Sequence, residues 1–85
     1  APGVLKTFKK QYKTAINELL EFTGFDTFVN LNKIYEKIEK LESIEFDLSY
    51  LEDCAKKSDK VREVFAKAYE IALRKTDRRT SAKIS

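Results

Sequence analysis

Four lysines open the chain at positions 6, 9, 10 and 13, and no acidic residue falls among the first seventeen. Steps of three and four set Lys6, Lys9, Lys10 and Lys13 along one side of a helix, where their ammonium groups suit phosphate, carboxylate or an anionic headgroup. Cations in the first turns of a helix oppose the positive end of its dipole, at a cost of a few tenths of a kcal/mol each. Stability does not ask for them there. An anionic partner accounts for the arrangement, and plain solubility in a lysine-rich chain is the competing account.

A second basic set closes the chain: Arg74, Lys75, Arg78, Arg79 and Lys83 against Asp77 alone. Lys56 and Lys57 form a third, smaller one. All three sets are candidate contacts to a nucleic-acid backbone or another anion. Arg78-Arg79-Thr80-Ser81 has the form of a basophilic-kinase acceptor, with Ser81 the candidate phosphosite. Phosphate there would lower the positive charge of this end.

Other chemistry is thin. The chain has no histidine, which removes Ser-His-Asp and Cys-His catalysis and the commonest neutral metal ligand. Only two glycines occur, and neither belongs to a phosphate loop or a dinucleotide fingerprint. Glu42, Glu45, Asp47, Glu52 and Asp53 cluster in sequence but lack the alternating acids around a glycine that a calcium loop needs. The expectation is a non-enzymatic protein without cofactor or metal. Cys54 is the single cysteine and reads as a small residue at the edge of the core. It also points to an intracellular setting, cytoplasmic or nuclear, with secretion left open.

These residues have to be positioned by helices, because Gly3, Gly24 and Pro2 are the only conformational punctuation in 85 residues. The first helix is predicted from about Val4 to Phe22, with Leu5, Phe8, Tyr12, Ala15, Ile16 and Leu19 as its apolar stripe and Gly24 as the left-handed residue just past its end. The second follows Asp26 or Thr27, with Asn30 as a competing start, and turns Leu31, Ile34, Ile38 and Leu41 inward. Ile44, Phe46 and Leu48 make a tight connection that plugs the end of the core.

The third helix is predicted as one rod over residues 48–75, its stripe running Leu48, Leu51, Ala55, Ser58, Val61, Phe65, Ala68 and Ala72. Asp47 or Ser49 is its cap, and Ser49 and Glu52 have capping-box spacing. A break near Ser58 is the alternative and would give four helices instead of three. Lys60, Glu63, Lys67, Glu70 and Arg74 alternate in sign along one face, as in ion-pair lacing. The fold expected is all-α: an up-down-up bundle over residues 1–75, then a basic, flexible tail over residues 76–85.

Charge is uneven along this scheme: +4 over residues 1–17, −6 over residues 18–59 and +5 over residues 60–85. An up-down-up order puts the first-helix lysines beside Lys56, Lys57 and Lys60, and the C-terminal cations at the opposite end. Apolar residues outside the main stripes (Val4, Leu20, Phe25, Val29, Ile71, Leu73) suggest a patch for a larger protein partner. Phe22, Phe25, Val29, Phe46 and Tyr50 are the candidate protein contacts. The functional expectation is an interaction module or small accessory subunit, with direct nucleic-acid binding as the alternative. Apolar runs are too short for a transmembrane span, and lipid docking lacks the continuous apolar face it needs.

Overall fold

The computed structural model describes residues 2–25, 29–54 and 59–84, and the side chains of residues 3–25, 29–54 and 59–76. The fold is all-α, with four helices and no strand among the described residues: α1 (Pro2–Thr23), α2 (Leu31–Glu39), the 3-10 helix η1 (Leu48–Cys54) and α3 (Asp59–Ile84).

α1 forms where its stripe predicts. Phe8, Tyr12, Ala15 and Ile16 of that stripe are buried at spacings of three and four, while Leu20 is buried in place of Leu19, which is only partly covered. Gly24 ends the helix with φ +77°, and the Leu20 carbonyl accepts from the N–H groups of both Gly24 (2.9 Å) and Phe25 (3.1 Å). A glycine tolerates that left-handed backbone at no steric cost, which is why the helix stops there. α2 begins at the later of its two predicted starts. Asn30 is extended and its side chain accepts from the Lys33 N–H at 3.1 Å, satisfying a free first-turn donor. Asp26, Thr27 and Phe28 lie outside the described residues.

The continuous rod over residues 48–75 is not what forms. Of the two predicted caps Asp47 takes the role: its carboxylate accepts from the Ser49 N–H at 3.0 Å, while its carbonyl accepts from the Tyr50 N–H at 3.0 Å. Glu52 is drawn off to Arg62, 3.4 Å away, so the capping box is not made. Leu48, Leu51 and Cys54 recur at intervals of exactly three, the repeat that stacks side chains on one edge of a 3-10 helix. Leu51 and Cys54 are buried on that edge. Ala55 and Ser58 lie outside the described residues, and α3 starts afresh at Asp59. The four-helix alternative therefore gives the right count.

The break changes direction as well as number. Phe8 meets Tyr69 (ring centroids 5.5 Å), whereas Tyr12, further along α1, donates its hydroxyl to the carbonyl of the earlier Phe65 at 3.2 Å. α1 and α3 are thus antiparallel. Contacts of Glu39 with Lys9 and Lys13 bring α2 back along α1. η1 returns along α2, with Asn30 N–H to Cys54 carbonyl at 3.0 Å and Lys37 to the Tyr50 carbonyl at 3.0 Å. The order is up-down-up-down. The parallel placement of first and last helices expected from an up-down-up order is corrected accordingly.

Phe8, Tyr12, Phe46 and Tyr69 form a ring cluster with centroids 5.5–6.0 Å apart, mostly tilted or edge-on as aromatic quadrupoles favour. The Tyr69 hydroxyl donates to the Ile44 carbonyl at 2.9 Å and so pins the connection that follows α2. Phe65 (1% exposed), Val61, Ala68 and Ala72 complete the seam from α3. The helix also runs past the end expected at Lys75. Thr76 is buried and donates its hydroxyl to the Ala72 carbonyl at 2.7 Å, and no Gly or Pro follows to stop the backbone before Ile84.

Candidate anion-binding pole

The antiparallel seam decides where charge gathers. With Phe8 level with Tyr69, the first turn of α1 is level with the region of Arg74 and Lys75. The last turns of α3 then extend about 13 Å beyond it at 1.5 Å per residue. Lys6 and Lys10 are exposed at this end, as are Arg74 and Lys75. None of these four makes an ion pair with another described residue. Arg78, Arg79, Ser81 and Lys83 lie on the projecting helical turns. Lys56 and Lys57 lie outside the described residues.

Two of the four first-helix lysines have work inside the molecule. Lys9 donates to the Glu39 carbonyl at 2.8 Å, and Lys13 pairs with the Glu39 carboxylate. Both ammonium groups sit at the C-terminus of α2, where unsatisfied carbonyls and the negative dipole end favour a cation. The Glu39 carboxyl is held below its ordinary range, first by the hydrogen bond and charge of Lys13, and then by Lys9 and Lys6. Lys9 and Lys13 thus stabilise the fold, and Lys6 and Lys10 are left facing water.

The alternating face of α3 carries less than expected. Lys60, Glu63, Lys67, Glu70 and Arg74 are all exposed, and no ion pair links them among the described residues. Among the described residues, the ion pairs of α3 run through Arg62, to Glu52 and to Asp59 (3.8 Å). Glu36 and Lys40 form their predicted pair at 3.5 Å, with both side chains about two-thirds exposed. Such a pair contributes little.

The candidate protein contacts divide. Val29 is buried, Phe25 packs partly against the core and Phe46 belongs to the ring cluster. Leu20, Ile71 and Leu73 are likewise covered or partly covered, so most of the supposed apolar surplus is absorbed intramolecularly. Phe22 remains, 89% exposed on the last turn of α1. Tyr50 is 41% exposed, with the Lys37 ammonium 5.1 Å from its ring centroid and also 3.6 Å from Asp53. Cys54 is buried, and burial pushes its thiol up from the ordinary value, away from a reactive thiolate.

One feature was invisible in the sequence. A groove of about 360 Å³ opens between η1 and α3, reaching Leu48, Phe65 and Ala66. It exists because the chain breaks and doubles back, and no local pattern marks it. No group of three or more His, Cys, Asp or Glu side chains is arranged to hold a metal among the described residues. No helix among them is long and apolar enough to cross a membrane. A scan against protein-family models and searches of curated proteins and solved structures find no match to this chain.

Proposed function

We propose that the chain is a non-enzymatic interaction module, acting as a small accessory subunit that brings a basic pole to a nucleic-acid backbone. The observation carrying this is the reversed direction of α3, which sets Lys6 and Lys10 at the same end as Arg74 and Lys75. The projecting turns with Arg78, Arg79 and Lys83 extend that end. Separate clusters at opposite ends would each offer a few weak contacts. Gathered at one end, they can release several counterions at once, and affinity then falls steeply with salt.

Fluorescence anisotropy with labelled single- and double-stranded DNA and RNA tests this. The expected result is a log–log salt slope of about −4 or steeper, on roughly 0.7 to 0.9 per phosphate neutralised. Truncation after Lys75 should flatten it. Absence of binding by every probe at low salt overturns the reading.

A protein partner is the second reading, favoured by Phe22. A phenylalanine almost wholly in water is the kind of residue that a partner covers. A complex of fixed stoichiometry that survives nuclease treatment and is lost in Phe22→Ser supports it.

A further inference from the structure

The basic pole leaves unexplained the groove on the other side of α3. Its floor is apolar: Leu48 and Ala66 are half-buried and the Phe65 ring lies beneath them. Its rim carries three acids, Asp47, Glu52 and Glu63, and one cation, Arg62. Glu52 is already shared with Arg62 at 3.4 Å. Asp47 and Glu63 are exposed and make no ion pair with another described residue. The Asp47 carboxyl accepts from the Ser49 backbone, which favours its ionised form.

Size, floor and rim each constrain what fits. About 360 Å³ lies at the low end for ligand pockets, room for one or two side chains rather than a folded surface. An apolar floor rewards a side chain that sheds its water and offers a polar one no partner. A rim with two uncompensated carboxylates repels phosphate and favours a cation beside that apolar group. We propose that this groove seats a short basic segment of a protein partner, with one or two aliphatic side chains on the floor and flanking Lys or Arg against Asp47 and Glu63. The proposal rests on the protein-partner reading and gives it a second contact surface. The two faces of α3 then sort partners by sign, polyanions at one end and a cationic peptide at its side.

The test is anisotropy of a fluorescein-labelled hexapeptide, two leucines flanked on each side by lysine and arginine, titrated with the full chain. Saturable binding is expected. It should weaken at least about tenfold for Glu63→Lys, a rim charge reversal at an exposed site. It should also disappear for Ala66→Phe, which fills the groove, and hold within about twofold for Lys6→Glu. Circular dichroism checks the fold of each variant, and Glu63→Lys alone decides the matter if Ala66→Phe does not fold. Equal binding of a control peptide with serines in place of the leucines overturns the proposal, as does indifference to Glu63→Lys. Sedimentation showing a dimer that Glu63→Lys dissolves would mean a second copy closes the groove, and would overturn it too. Loss of a nuclease-resistant complex in Phe22→Ser, with no peptide binding, leaves the protein-partner reading standing and removes the groove from it.

Discussion

The seam between α1 and α3 and the flank made by α2 and η1 hold this molecule together by different means. Along the seam, two long helices bury Phe8, Tyr12 and Phe65 and half-bury Tyr69, and polar contacts serve mainly to satisfy hydroxyls at an apolar interior. Along the flank the helices are nine and seven residues long, too short to be stable on propensity alone. Their ends are tied by Asn30, Asp47, Lys9 and Lys37 to neighbouring backbone. The contrast is one of degree: the long helices supply most of the buried residues, while the short ones add Ile34, Ile38 and Leu51 to the core and lean on termination chemistry as well.

Breaking the seam should have the largest effect. Phe65→Ala is expected to cost about 3–5 kcal/mol in urea denaturation, most of the stability of a domain this size. A loss under about 1 kcal/mol would mean that the seam is not the principal core. Alkali should attack the same place. Burial, and then proximity to Tyr69, raises the Tyr12 hydroxyl above its ordinary pKa of about 10. The folded state therefore holds this proton more tightly than the unfolded one. The stabilisation is fully present below about pH 10 and is lost as pH rises beyond it, so the melting temperature should drop there. Tyr12→Phe should flatten that drop, and an unchanged alkaline profile in the variant would remove Tyr12 as its source.

The flank should respond more gently. Asn30→Ala removes the N-cap of α2 and should cost about 1 kcal/mol, whereas Asn30→Ser should largely restore it. Lys9→Ala should cost about 0.3–1 kcal/mol, the range for a cation at a helix C-terminus. A loss from Lys9→Ala rivalling that of Phe65→Ala would erase the contrast between the two regions.

How far the sequence reveals this depends on how local each determinant is. The stripe of α1, its stop at Gly24 and the inward positions Val61, Phe65, Ala68 and Ala72 are readable, because periodicity and a left-handed cap act within a few residues. The reversal before α3 is not. Leu48 and Leu51 fit an α-helix as well as a 3-10 turn over so short a run, and only the competition between Asp47 and Ser49 for the cap separates them. Once direction is misjudged, the charge map goes with it: Lys6 and Arg74 look far apart and lie at one end. The duties of Lys9 and Lys13 are hidden for a related reason, since Glu39 belongs to another element. Thr76–Ile84 lack apolar period, yet a helix needs none where nothing in the chain interrupts it.

The hydroxyl of Tyr12 and the carbonyl it reaches are 53 residues apart in the chain. A nascent polypeptide leaving the ribosome thus carries its first helix with the greasy side incompletely covered until α3 has emerged. Pairing so remote in sequence delays closure, and before it only α2 and Phe46 cover part of this surface. The interval between the first helix and the last is therefore when the protein is most open to chaperones and most exposed to aggregation.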